Sequence, residues 1–154
     1  MALNDQTSKR RLRRTPCMGI CSTTYGDLVC RGCKRFAHEI IQWNGFDESQ
    51  RETVWTRLIE LRDTCVRDVV HVGERSDLDA ACAARGLPLD DQSSTLSVAY
   101  ELLRRGLNEP QVVADAKIDL RESATAIEAL KAIDDLFLQR SQAHYERAFK
   151  TPVS

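Results

Sequence analysis

From Lys34 onward the apolar residues recur at helical spacing, and no stretch alternates long enough to make a confident strand. Lys34 to Asn44 sets Phe36, Ile40 and Trp43 at steps of four and three, widened by Ala37 and Ile41, until Gly45 ends the pattern. Asp47 with Gln50 three residues later makes a capping box for a second helix. That helix carries Val54, Leu58, Leu61, Cys65 and Val69 on one face and runs to Gly73. Ser76 with Asp79 opens a short helix through Leu78, Ala81 and Cys82, closed by Gly86, and LPLDD, with Pro88, connects it to the next. Ser93 or Ser94 caps a helix bearing Leu96, Ala99, Leu102 and Leu103, stopped at Gly106. Asn108 and Pro110 start another, with Val112, Val113 and Ala116 inward. A long helix from about Arg121 to Phe149 then places Ala124, Ile127, Leu130, Ile133, Phe137 and Ala148 near one face.

The first 34 residues follow no such period. Before Pro16, Leu3 and Leu12 are the only large apolar residues beside the run SKRRLRR, so this part reads as a flexible basic arm. From Pro16 to Lys34 lie four of the six cysteines, with Gly19, Gly26 and Gly32 to supply turns. The expected organisation is therefore a basic arm (1–15), a four-cysteine metal-binding knuckle with a short helix (16–45) and a helical body (46–154). The fold class is mainly α, the knuckle preceding a bundle of five or six helices.

Composition excludes several alternatives. At 154 residues, 42% hydrophobic and 29% charged, the chain is neither collagen-like nor wholly disordered, and no apolar run approaches a membrane span. No hydrophobic segment follows the N-terminal charges, which argues against a secretory signal and for the cytoplasm. There thiols stay reduced, so the cysteines are metal ligands, reactive thiols or core residues rather than a disulfide framework. The net charge of −1 conceals a division: residues 1–35 hold eight Lys and Arg against two Asp, the remainder fourteen against twenty-one Asp and Glu. A basic head on an acidic body is suited to an anionic partner.

Cys17, Cys21, Cys30 and Cys33 are spaced C-x3-C-x8-C-x2-C, two close pairs joined by a short loop that can converge on one centre. Gly32, between the second two, relieves the steric cost of turning backbone N–H groups toward sulfur, and Gly19 is placed to do the same in the first pair. Four thiolates complete a structural zinc site with no open position, and they equally serve an iron–sulfur cluster. Ser22, Thr23, Thr24 and Asp27 make the loop polar, without the apolar shell that shields a cluster, so the residues lean toward zinc. No acid or base stands ready beside an open coordination site, so no catalytic residue is expected.

The run from Thr15 to Leu58 resembles the small bacterial domain-of-unknown-function family 1289, described as predicted iron–sulfur proteins. Its pattern has a proline before the first cysteine, then four cysteines, C-x-G-C-x-R and an E-I-x-x-W helix. Pro16, Cys17, Cys21, Cys30, Gly32, Cys33, Arg35, Glu39, Ile40 and Trp43 carry the resemblance over about residues 15–60. It implies a four-cysteine metal site and no particular reaction.

Cys65 and Cys82 fall on apolar stripes and read as small core residues, and His38, five residues beyond Cys33, reads as a surface or cap residue rather than a fifth ligand. Lys9, Arg10, Arg11, Arg13 and Arg14 of the arm, with Arg31, Lys34 and Arg35 of the knuckle, are the candidate phosphate contacts, and Tyr25 and Phe36 could stack on bases if exposed. Residues 111–133 have a faint helix-turn-helix rhythm, but Glu122, Glu128 and Asp134 suit a phosphate-lined groove poorly. The sequence thus points to a non-enzymatic metal-binding accessory or regulatory protein docking on a nucleic-acid-containing assembly or a protein partner. An iron–sulfur redox or sensor protein and a pure protein–protein adaptor are the rival classes. Neither a membrane nor a small-molecule substrate is implied.

Overall fold

A computed structural model describes residues 15–19, 21–89 and 91–150, with Lys150 described by its backbone alone. Among these residues there are six α-helices: α1 (Ala37–Gln42), α2 (Glu48–Val69), α3 (Arg75–Ala84), α4 (Thr95–Arg105), α5 (Gln111–Asp115) and α6 (Ala126–Tyr145). Strand pairing among them is limited to two isolated antiparallel bridges, Val29–Phe36 and His71–Asp119. The basic arm and its cations Lys9, Arg10, Arg11, Arg13 and Arg14 lie outside the described residues.

The described residues divide into two compact units, one drawn from residues 15–56 and 144–150, the other from 57–143. The division falls within α2, and the described residues from His144 onward belong with the cysteine-bearing unit.

In the second unit the core is Cys65, Val66, Val70, Leu78, Ala81, Cys82, Ala99, Leu102, Leu103, Val112, Ala116, Ile118, Ala126, Ala129 and Ile133. Cys65 and Cys82 are buried within it, as their stripes implied, and burial pushes both thiols above their ordinary 9.0. Local chemistry starts and stops the helices. Asp47 Oδ1 accepts the Gln50 N–H at 2.8 Å and Gln50 Oε1 accepts the Asp47 N–H at 2.9 Å, the reciprocal box that opens α2. Ser94 Oγ accepts the Ser97 N–H at 3.0 Å and donates to Asp63 Oδ2 at 2.5 Å, so the cap of α4 is tied to α2. Arg85, at the end of α3, reaches Glu109 at 3.0 Å and Asp115 at 2.6 Å.

Three sequence expectations are corrected here. Helix α3 is capped at Glu74, not opened by Ser76. Helix α6 starts at Ala126 rather than near Arg121; Ala126, Ala129, Ile133 and Ser141 are buried, while Ala124 and Ile127 are exposed. The start is set by Thr125, whose Oγ1 accepts the Glu128 N–H at 3.2 Å, and by Glu128, which bonds the Ala124 N–H at 2.8 Å. Phe36 does not lie on the stripe of α1 but precedes it, in extended backbone, with its N–H donated to Glu39 Oε1 at 2.8 Å.

Two features close the second unit. His71 and Asp119 exchange backbone hydrogen bonds at 2.8 and 2.9 Å, and Lys117 and Arg121 on either side of Asp119 are left-handed, at φ 55° and 53°. Gly106 ends α4 where side chains of α5 and α6 come close to its backbone.

Candidate metal centre

The second cysteine pair is built on a tight turn. Cys30 and Arg35 are paired by the Cys30 N–H to the Arg35 carbonyl at 2.9 Å, within the Val29–Phe36 bridge. Inside that bridge the chain reverses through Arg31 and Gly32, and the Lys34 N–H returns to the Cys30 carbonyl at 2.8 Å. Lys34 takes the left-handed φ of 66° that closes the turn, a conformation that costs a non-glycine residue roughly 1–2 kcal/mol. Its ammonium folds back over the same turn and donates to the Arg31 carbonyl at 2.6 Å and the Gly32 carbonyl at 3.1 Å. The Arg31 N–H is held by Ser22 Oγ at 2.8 Å, which fastens the turn to the 3-10 helix Ser22–Tyr25.

These contacts aim backbone N–H groups at sulfur. Burial pushes the Cys30 thiol up, but hydrogen bonds from the backbone at Cys33, Ser22 and Gly32 and from the Cys33 side chain prevail, and bring it from 9.0 to about 7. Cys33 goes the other way: burial raises it, against the lowering pull of the Arg35 guanidinium, whose Nε donates to Cys33 Sγ at 3.3 Å. Arg35 in turn lies over the Trp43 ring, its Cζ 4.8 Å from the centroid, with the Arg51 guanidinium 5.8 Å from the same ring.

The first pair repeats part of this geometry in a more open setting. Gly19, at φ 95°, donates its N–H to Cys17 Sγ at 3.4 Å, and the Cys17 N–H is bonded by Thr15 Oγ1 at 3.3 Å. Cys21 precedes the 3-10 helix and its sulfur is 2.7 Å from Thr23 Oγ1. Cys17 is exposed, Cys21 half-buried, Cys30 and Cys33 buried, and none of the six cysteines, all of which are among the described residues, forms a disulfide. Cys30 and Cys33 interact directly; among the described residues no three His, Cys, Asp or Glu side chains are grouped so as to hold an ion.

The cation set of the knuckle is corrected. Arg31 is exposed, with its Nε 3.3 Å from Asp27 Oδ2. Lys34 and Arg35, expected on a phosphate-binding surface, are only 1% and 3% exposed. The closure of the turn buries the first, and stacking on Trp43 and bonding to Cys33 bury the second. Tyr25 is 85% exposed, but Phe36 is enclosed by aromatic rings: His38, His144, Tyr145 and Phe149 all have centroids between 5.3 and 5.8 Å from its own. His38, exposed, stands edge-on to Phe149 at 5.2 Å. Sequence reasoning missed Trp43 as the ring that receives Arg35, Ser22 as the anchor of the turn and Glu39 as the cap of α1.

Among the described residues only the second pair is brought together, and its surroundings have the chemistry of a thiol site without the grouping of three donors that an ion needs. The first cysteine of each pair accepts a backbone N–H, and the buried pair has one sulfur poised to ionise near neutral pH and another beside a guanidinium. No helix among the described residues is long and apolar enough to cross a membrane. No curated protein and no solved structure matches the chain. Residues 15–62, the segment holding both cysteine pairs, α1 and Trp43, match the family described as "Protein of unknown function (DUF1289)".

Proposed function

We propose that residues 16–45 are a non-enzymatic metal-binding module, with Cys17, Cys21, Cys30 and Cys33 as ligands, in a cytoplasmic accessory or regulatory protein. The observation that supports this reading is the Cys30 turn, in which the Cys30–Arg35 and Lys34–Cys30 backbone hydrogen bonds at 2.9 and 2.8 Å set Cys30 beside Cys33 with backbone N–H groups facing the Cys30 sulfur. Bound zinc would cross-link a loop with little apolar surface of its own, while an iron–sulfur cluster would supply an electron-transfer or oxidant-sensing centre. The polar Ser22–Tyr25 turn beside the sulfurs supports zinc ahead of a cluster. The test is metal analysis of the full chain purified without oxygen. The expected result is one zinc per chain, absent from Cys30→Ser; a brown, iron-containing protein would favour the cluster, and a metal-free chain would refute the module.

The partner reading is narrowed by burial. With Lys34 and Arg35 enclosed, Lys9, Arg10, Arg11, Arg13, Arg14 and Arg31 are the cations left to meet phosphate. Met18, Tyr25 and Ile41 are exposed apolar side chains in the same unit, which favours a protein partner over a nucleic acid. Nucleic-acid titrations of the full chain and of one lacking residues 1–15 separate the two. A log–log salt slope growing by roughly 0.7–0.9 per arm–phosphate contact supports nucleic acid; no binding at low salt supports a protein partner.

A further inference from the structure

We infer that residues 144–149 are a strap that gates the buried Cys30–Cys33 pair: their rings clamp Phe36, and the turn enclosing the two sulfurs opens when they let go. The inference concerns access to the two thiols and holds with or without a bound metal, so it goes beyond the proposed function and does not depend on it.

Cys30 and Cys33 are 1% and 7% exposed, so a reagent or an ion reaches their sulfurs through an opening of the turn. The base of that turn is the Val29–Phe36 pair, with the Cys30 N–H bonded to the Arg35 carbonyl on one side and the Ala37 N–H to the Leu28 carbonyl on the other, both at 2.9 Å. An isolated bridge of two hydrogen bonds is marginal in water, so packing on its side chains decides whether it stays shut. Phe36 supplies that packing: it is 3% exposed, and His144, Tyr145 and Phe149 stand edge-on to its ring, with centroids 5.7, 5.3 and 5.6 Å away. Tyr145 and Phe149 also meet at 5.2 Å, and Phe149 meets His38 at 5.2 Å, so the rings hold one another. Phe36 is buried, whereas Phe149 is 56% exposed; releasing Phe149 uncovers little of its own surface but removes one wall from Phe36. Ser22 and Lys34 fasten the tip of the turn, at Arg31 and Gly32, and leave its base to this cover. A weakly held outer ring over a buried inner one lets the segment open by itself, without unfolding of the unit.

The test is residue-resolved hydrogen exchange on the full chain, without oxygen and with chelator present, at urea concentrations below the unfolding transition. In the wild type, exchange at the Cys30, Lys34 and Ala37 amides should be almost independent of urea, since a local opening exposes little surface. Phe149→Ala should speed it by about 2–10-fold, the range for loss of one edge-to-face ring contact. Alkylation of Cys30 and Cys33 by a neutral maleimide should rise by the same factor, while exposed Cys17 keeps its wild-type rate. Phe149→Tyr keeps the ring and should stay within about twofold of the wild type. Wild-type exchange and labelling in Phe149→Ala would show that the strap does not hold the turn. A steep urea dependence at the three amides would show that the turn opens only with the whole unit, and thiols that label as fast as Cys17 in the wild type would show that it is never closed. Each of these results overturns the inference. Should circular dichroism show that Phe149→Ala has lost the fold, Phe149→Leu decides, and no acceleration in it overturns the inference. A chain purified without metal refutes the metal module and leaves the strap standing.

Discussion

A Cβ placed on Gly106 would lie 3.0 Å from the Leu103 carbonyl oxygen, 3.1 Å from Val113 Cγ2 and 3.2 Å from Ala126 Cβ. Two opposed effects decide what Gly106→Ala does. Its φ of −60° and ψ of −15° suit alanine, and restricting the unfolded chain there is worth about 0.4–1 kcal/mol. Against this, forcing a methyl group into a filled space costs roughly 1–3 kcal/mol. Leu103 O is backbone, Ala126 Cβ is fixed to the first turn of α6, and the remaining neighbour, Val113, is β-branched and stiff at χ1. The steric cost therefore prevails, with a net loss of about 1 kcal/mol, which lowers the thermal midpoint by roughly 2–4 °C in a chain of this size. Urea and thermal unfolding followed by circular dichroism measure it. In a Val113→Ala background the same substitution should cost less, by about 0.5 kcal/mol or more, because the clash is shared with that side chain. Gly86→Ala is the control: no atom lies within 4 Å of its Cβ position, and its loss comes from the φ of +65°, independent of Val113. A Gly106→Ala protein more stable than the wild type, or one with no coupling to Val113, would refute the packing argument.

Three further outcomes are expected. Native alkylation of the metal-free chain, read by mass spectrometry, should modify exposed Cys17 first and Cys65, whose thiol burial raises, last; early labelling of Cys65 would contradict its place in the core. Phe149→Ala should destabilise the first unit by about 1 kcal/mol, through loss of ring contacts with Phe36, His38 and Tyr145, and should speed hydrogen exchange at the Ala37 amide. Its hydrogen bond from Arg140 holds Asp68 below the ordinary 3.8. A carboxyl depressed in the folded state stabilises above its unfolded pKa and loses that contribution as pH falls through the folded one. The urea-midpoint gap between wild type and Arg140→Gln should therefore narrow between about pH 6 and about pH 2, by less than about 1 kcal/mol because the pair is exposed; a constant gap would discount the ion pair.

Much of the helical body was legible because its signals are local. The Asp47–Gln50 box, the Ser94 cap and the Gly106 stop depend on residues within one turn of one another, and each stands where its pattern placed it. Thr125 with Glu128 was an equally local signal, and reading it would have moved the start of α6 to Ala126 and replaced Ala124 and Ile127 on its inward face by Ala126 and Ala129. The knuckle was harder to read because its chemistry depends on residues brought together by the fold. A lysine is normally solvated, so nothing in the run CKRF separates an exposed Lys34 from one whose left-handed backbone swings its ammonium over the carbonyls of its own turn. The return of His144, Tyr145 and Phe149 to Phe36 joins residues more than a hundred positions apart, and helical periodicity carries no trace of it.

The His71–Asp119 exchange closes a loop of about fifty residues that contains α3, α4 and α5, and closing a flexible loop of that length costs roughly 3 kcal/mol of chain entropy before any contact repays it. Two short hydrogen bonds flanked by left-handed Lys117 and Arg121 cannot meet that cost on their own. The three enclosed helices must therefore assemble first and bring the ends together, so the bridge records the completion of folding in this unit and does not nucleate it. Its amides should be among the last in the unit to gain protection during refolding, and a substitution at Asp119 that weakens the bridge should speed unfolding while leaving the folding rate almost unchanged.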